Sequence, residues 1–555
     1  MKSFILQIGK LFSYKDKWHF VFIALLMALS ALLELAGLSV LVGAATLFLS
    51  PDTPAGQQAA EFIIRWLPEL PEEKVIAVII LAIGVLLVLK NIFALIIVDL
   101  QAKFVHAGRN ELANRIMHRF LHADYRHFSA LPVDFCFGAI QRVNVLSDFV
   151  LLPVMQVTAD VLAIAVLSVT AVFLFPVVTL SGIVFMVMIA MAVSHCSGKL
   201  NRRYGRGKLN AELEENKWRQ NAVSGVKAIK ISAKEEYFLR RFSEKYAEMN
   251  LFNRKLYTLG QVPRLVLESA SIFLAAAVFA VMVLCGVEKS SILFSFAVLT
   301  AVVSRILPAL SRCHYNLTLI RQNYPILENI AELLSSIPEE KAASGTAADA
   351  SETLEIRNVN FSYREGKPVL ENISLFVPHG TSLAISGKSG RGKSTLIDLI
   401  LGLLMPQNGM ICAGNVPIAN DLSAWRKQIG VVPQNIFLYE GSIRENVAFG
   451  EDPECIDDEK VKSSLQLVGL GNFSPDHPVS ARGNLSGGQQ QRIGIARALY
   501  RDAKVLILDE ATSALDSETE NQFCEVIRNL RGKVTVIVIS HRESTLNICD
   551  RQIEL

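Results

Sequence analysis

Charge is scarce in this chain of 555 residues: Asp, Glu, Lys and Arg make up 19%, where a soluble globular protein carries about 25%. Hydrophobic residues reach 51% and mean hydropathy is +0.36, so part of the chain must face lipid. An excess of one sign is also missing. Lys and Arg total 55 against 52 for Asp and Glu, a net +3, which gives no reason to expect a nucleic-acid partner. The eight cysteines are scattered and form no C-x-x-C pair, so neither a zinc site nor a redox motif is suggested. No sequence repeat marks a solenoid or propeller.

Long apolar runs are plentiful and confined to the first ~335 residues. Lys2, Lys10, Lys15 and Lys17 precede a run from Trp18 to Phe48. A secretory signal has an apolar core of only ~7–15 residues, so this run reads as a retained first transmembrane helix. Further spans are expected at 74–99, 147–174, 177–195, 264–286 and 291–313. The polar stretches 101–146 and 196–262 keep helical periodicity and read as helices continuing out of the membrane. They are rich in Lys and Arg, whereas 50–73 holds Asp52, Glu61, Glu69, Glu72 and Glu73 against Arg65 alone. The positive-inside rule therefore puts the long polar stretches and both chain ends in the cytoplasm. Small polar residues over 339–353 suggest a linker, after which the composition is that of a soluble α/β domain. The expected organisation is a transmembrane domain over 1–338, the linker, and a nucleotide-binding domain over 354–555.

Gly387-Lys388-Ser389-Gly390-Arg391-Gly392-Lys393-Ser394 fits G-x-x-x-x-G-K-[ST] and lies between the apolar strand Ser382–Ser386 and the apolar helix that opens with Thr395. The glycines let backbone N–H groups approach phosphate oxygens, and the helix start adds a positive dipole end. Lys393 is placed to reach the β- and γ-phosphates of ATP, and the Ser394 hydroxyl to bind Mg²⁺. Val505-Leu506-Ile507-Leu508 reads as a buried strand ending in Asp509 and Glu510. An acidic pair at a strand end is usually a solvated terminus. With the phosphate loop upstream, Asp509 suits a Mg²⁺ contact and Glu510 the base that polarises the attacking water.

Leu485-Ser486-Gly487-Gly488-Gln489 resembles the signature motif of ATP-binding cassette proteins, and other motifs of that family follow in order. Tyr363 resembles the aromatic residue that stacks on adenine, Gln434 the Q-loop glutamine, Asp516 the D-loop aspartate and His541 the switch histidine. The resemblance implies that Gln434 also contacts Mg²⁺, and that Ser486, Gly488 and Gln489 of a second copy close each ATP site. Six spans ahead of one cassette resemble the exporter half-transporter: a multi-domain chain with an all-α polytopic membrane domain and an α/β P-loop cassette. The stretches around 123–138 and 221–242 sit where that family has its coupling helices.

Cargo is read from the spans. Lys90, Arg264, Arg305 and Arg312 recur on spans two, five and six; the first three suit a phosphate-bearing headgroup, or else Arg264 and Arg312 are snorkelling helix ends and Lys90 pairs with a carboxylate. Ser30–Gly37 and Val262–Glu268 resemble stretches of bacterial flippases for lipid-linked oligosaccharides. Segment 56–67 reads as an amphipathic helix at the outer surface or as an ordinary loop. The resulting expectation is a homodimeric ATP-driven lipid flippase of the inner membrane. The alternatives are a multidrug or peptide exporter, and a non-transporting regulator or channel of the same family.

Overall fold

The computed structural model describes residues 14–49, 72–131, 133–174, 176–286, 289–340, 345–364, 366–388, 390–480, 485–510 and 517–555. They fall into two compact units, Met1–His122 with Leu131–Pro338, and Ala123–Ala130 with Glu339–Leu555.

The first unit is helical. Its elements are α1 (Tyr14–Leu49), α2 (Glu72–Leu121), and, after the short α3 (Tyr125–Ser129) that belongs to the second unit, α4 (Val133–Leu146). Then come α5 (Leu152–Leu174), α6 (Pro176–Ser224), α7 (Val226–Ile231), α8 (Glu235–Leu284) and α9 (Lys289–Ser336). The long polar stretches are helical as expected: α2 runs on to Leu121, α6 to Ser224, and α8 begins at Glu235. At 1.5 Å per residue, the 50 residues of α2 or α8 far exceed the ~20 that cross a bilayer. By length and composition, four stretches among the described residues are apolar enough to cross: Asp16–Leu33, Gly84–Leu121, Phe135–Val169 and Glu235–Leu284. The expectation of six spans adds α6 and α9, whose apolar halves carry side chains mostly outside the described set. Segment 56–67 also lies outside it.

Polar side chains fasten helices α6 and α9. Arg202 and Arg206 donate to the two carboxylate oxygens of Glu328 at 2.7 and 3.0 Å. Gln322 Nε2 donates to Asn201 Oδ1 at 3.0 Å. Gly205 allows this approach, because a Cβ there would collide with the Gln322 carbonyl.

The second unit is α/β. Strands β1 (Leu354–Phe361), β2 (Leu370–Val377), β4 (Asn408–Ala413) and β5 (Val416–Pro417) form an antiparallel sheet in the order β2-β1-β4-β5. Strands β3 (Ser382–Ser386), β6 (Ile429–Val432), β9 (Val505–Asp509), β10 (Thr535–Ile539) and β11 (Arg551–Glu554) form a parallel sheet in the order β11-β3-β10-β9-β6. A two-residue pair, β7 (Gly441–Ser442) with β8 (Pro478–Val479), completes the strands. Helix α10 (Lys393–Ile400) follows β3, and α14 (Gly487–Tyr500) precedes β9; α11 (Leu422–Lys427), α12 (Ile443–Val447), α13 (Asp458–Leu467), α15 (Ser517–Leu530) and α16 (Glu543–Leu546) fill the remaining connections. Both faces of the parallel sheet are covered. Val505 and Ile507 enter one core while Leu506 and Leu508 enter the other, which is why the strand reads as an unbroken apolar run.

The described part of the stretch read as a linker, 339–340 and 345–353, is packed onto this unit. Ala348 and Ala350 are buried, and Gln428 brackets them by donating to the Ala348 carbonyl at 2.9 Å and accepting from the Ala350 N–H at 3.0 Å. Glu340 pairs with Arg426, and Asp349 with Lys504 at 2.9 Å. Composition alone conceals this because alanines bury well without announcing a strand or helix.

Candidate nucleotide site

The parallel sheet gathers the site at the carboxyl ends of its strands, where open α/β sheets place ligands. The loop after β3 needs unusual backbone geometry. Gly390 has φ 83° with open space where a Cβ would stand, and Gly392 has φ 93° with Leu370 and Val369 in the way of any side chain. Gly387, φ 141°, packs against the Leu555 backbone. Ser389 lies outside the described residues. Lys393 opens α10, is 7% exposed, and donates to the carbonyls of Gly387 and Lys388 at 2.7 and 3.1 Å. Its ammonium is thus held inside the loop that would receive phosphates. Ser394 is exposed, and Thr395 is buried.

Three sequence-distant groups meet at the end of β9. Gln434 Nε2 donates to Glu510 Oε2 at 2.7 Å, and His541 Nε2 lies 3.7 Å from Glu510 Oε1. Glu510 has φ 48°, left-handed for a residue with a Cβ, and its N–H donates to the Ile539 carbonyl. Such strain persists only where surroundings enforce it, and it concentrates at functional sites. Burial, and secondarily the Glu510 charge, push the Asp509 carboxyl above its ordinary range; Lys393 acts in the opposite sense. A second acid was missed by the sequence reading. Asp398 in α10 is pushed up to about 6, first by burial and then by the charge of Asp509.

The remaining candidates occupy distinct places. The Tyr363 ring is 49% exposed, its OH lies 3.3 Å from Thr395 Oγ1, and Phe361 meets it edge-on. Arg126 of α3 donates to the Tyr363 carbonyl at 2.9 Å. Ser486 caps α14: its hydroxyl accepts from the Gln489 N–H while its own N–H donates to Gln489 Oε1 at 2.8 Å. The Gln489 side chain is therefore engaged at home, and Gly488 sits in the first turn beside it. Asp516 lies outside the described residues.

Of the candidate cargo cations, Lys90 is half-buried and Arg264 exposed, and the Arg305 side chain is outside the described set. Glu268, one turn beyond Arg264, makes no ion pair with it among the described residues. Arg312, also an intramembrane cation by sequence, is paired: its Nη2 donates to Asp160 Oδ1 at 2.9 Å.

Residues 20–307 match the ABC transporter transmembrane region, and 370–513 match the ABC transporter domain, which implies ATP binding. The ATP-dependent lipid A-core flippase of Burkholderia thailandensis is 32% identical over 366 residues, 64% of this chain and 61% of the relative. That of Saccharophagus degradans is 30% identical over 59% of this chain and 57% of its own length. The chain thus spans about three fifths of these relatives. A bacterial Atm1-family ABC exporter solved with ATP bound has the same fold, with TM-score 0.81 and 18% identity over 98% of this chain and 93% of its own. The transmembrane-region match alone takes in more than half of the sequence, and this protein belongs to the ABC transporter family.

Proposed function

We propose that this chain is one half of a homodimeric exporter that uses ATP to flip an anionic lipid, such as a lipid-linked oligosaccharide, across the inner membrane. The observation that carries the ATP-driven part is the meeting of Gln434, Glu510 and His541 beside the Lys393 loop. Glu510 accepts a proton from the water that attacks the γ-phosphorus, and His541 and Gln434 hold that carboxylate and the water in line. Lys393 binds the β- and γ-phosphates, and Tyr363 offers its exposed ring to adenine. Ser394, Gln434 and Asp509 present hard oxygen donors that fit Mg²⁺. When bound, Mg²⁺ supplies neutralisation of the phosphate charge. Ser486, Gly488 and Gln489 at the α14 N-terminus, with Asp516, complete the site of a second copy. Hydrolysis removes the γ-phosphate that bridges the two copies, and the pair reopens.

The lipid part rests on the flippase relatives and on the apolar faces of the long helices. Lys90, Arg264 and Arg305 are assigned to the phosphate of the cargo, with the chain crossing the membrane six times and its cassette in the cytoplasm. The test is reconstitution in liposomes with a fluorescent lipid-linked oligosaccharide. ATP-dependent movement of the probe between leaflets is expected. ATPase stimulation by hydrophobic drugs, with no lipid movement, would establish the multidrug alternative instead. Active ATP hydrolysis with no movement of either class would leave the transport reading without support.

A further inference from the structure

Helices α4, α6, α8 and α9, with Phe149 just beyond α4, line an open-sided cavity of about 360 Å³, within the ~300–1,000 Å³ range of small-molecule sites. Its wall is divided. Gln141, Arg142, Lys208, Glu212 and Asn253 supply polar groups, and Phe149, Leu209, Leu319 and Ile326 supply apolar ones. None of these is a residue of the nucleotide site or of the Lys90, Arg264, Arg305 set.

The polar side is built and fixed. Arg142 is 8% exposed, and its Nη1 donates to Asn329 Oδ1 at 2.8 Å. Its Cζ lies 5.4 Å from the centre of the Phe135 ring. These contacts hold the guanidinium plane, and among the described residues its other donors have no hydrogen-bond partner. Lys208 and Glu212 line the same space; neither makes an ion-pair contact among the described residues, and the Glu212 charge acts on Arg142 from across the cavity. In the wall itself, Gln322 is pinned by donating to Asn201 Oδ1 and to the Leu256 carbonyl. Asn201 has no exposed surface, and its Nδ2 has no hydrogen-bond partner among the described residues.

We propose that this cavity binds an anionic amphiphile, with a phosphate-class headgroup at Arg142 and Lys208 and an alkyl segment against Phe149, Leu209 and Leu319. The charge balance of the wall is two cations against one acid, which selects an anion over a neutral or cationic head. The apolar half gains from covering by a chain and gains nothing from free phosphate. An occupant that binds without being transported satisfies the inference, so it stands apart from the flippase reading.

The test uses the whole 555-residue chain purified in a neutral maltoside detergent. Binding is titrated by thermal shift with decyl phosphate, with decanol for the chain alone and with inorganic phosphate for the head alone. Saturable stabilisation by decyl phosphate alone is expected. Lys208→Gln should weaken it about tenfold or more, as loss of one charge-assisted hydrogen bond implies. Leu319→Trp should abolish it by filling the space. Basal ATP hydrolysis in both variants reports that they remain folded. Equal stabilisation of the wild type and both variants would put the amphiphile elsewhere and overturn the proposal. Equal binding of inorganic phosphate would overturn its amphiphile half. Efficient disulfide formation between chains in the Lys208→Cys variant would mean that a second copy occupies the space, and would also overturn it.

Discussion

In the second unit, Val505, Leu506, Ile507 and Leu508 are all buried, two toward each of two cores. In the first unit, Leu81, Leu95, Phe273 and Leu284 are 69–85% exposed, although they belong to equally apolar segments. The same residue types face inward in one unit and outward in the other because the two are solvated differently. Polar groups differ correspondingly. The cassette gathers several of them around one catalytic candidate, Glu510, while the helices use pairs and small clusters that fasten one helix to another, such as Arg312–Asp160 and Arg202–Glu328–Arg206. This contrast predicts that substitutions in the cassette change chemistry at little cost to the fold, and that those in the helices do the reverse.

The sharpest way to break that contrast is Glu510→Gln. Loss of general-base catalysis costs about 10²–10⁴-fold in turnover. Nucleotide binding should persist, because the phosphate loop is untouched. Phosphate release and nucleotide titration together measure both, and near-normal turnover would remove Glu510 from the base role. Lys393→Ala ranks next. Its ammonium is expected to contact phosphate in the ground state, so ATP affinity should fall about 10–100-fold, the worth of a charge-assisted contact. Unchanged affinity would mean that the loop binds through its backbone alone.

These two positions were legible because phosphate chemistry demands a local spelling: glycines at fixed spacing, then Lys393 and Ser394. The expected strands are found at Ser382–Ser386 and Val505–Asp509 because strands buried on both faces read as apolar runs. The Arg312–Asp160 pair was not legible. The two residues are 152 positions apart, and only helix packing brings them together. The same holds for Arg126 at the Tyr363 carbonyl, which sequence resemblance to a coupling helix locates only regionally. Asp398 went unnoticed because an acid in a helix after a phosphate loop has no motif, and its burial is a tertiary fact.

The Arg312–Asp160 pair sharpens the other side of the comparison. Asp160 is 8% exposed on its side chain, so Arg312→Gln removes a cation from a buried carboxylate. Buried pairs lose 3–5 kcal/mol when one partner is removed, but the Arg312 side chain is 62% exposed. About 1–2 kcal/mol is therefore expected, read as a lower unfolding temperature in detergent. Adding Asp160→Asn should restore most of it, since two neutral amides can still hydrogen-bond. If the double variant is no better than the single one, the pair is not what holds Asp160.

The smallest expected effect comes from Asp398, and it is the one that pH can switch. No hydrogen bond holds its carboxylate among the described residues, and burial and the Asp509 charge raise its pKa from 3.8 to about 6. In the unfolded chain the group ionises near the ordinary value, so folding takes up a proton between about pH 4 and 6. Below that window Asp398 is neutral in both states and costs nothing. As pH rises across the window the unfolded chain ionises first, so stability falls, and above about 6 the folded protein holds the carboxylate charged and partly desolvated at the full cost. Asp398→Asn is neutral throughout. It should therefore raise the unfolding temperature at pH 7.5 and have no effect near pH 4. Discounted for partial exposure, the gain is about 1 kcal/mol, or roughly 2–4 °C for a domain of this size. A pH-independent gain would show that packing is responsible. A loss at pH 7.5 would mean that the charge is used, most directly by a cation bound between Asp398 and Asp509, and the cassette would then be less tolerant of substitution than its contrast with the helices implies.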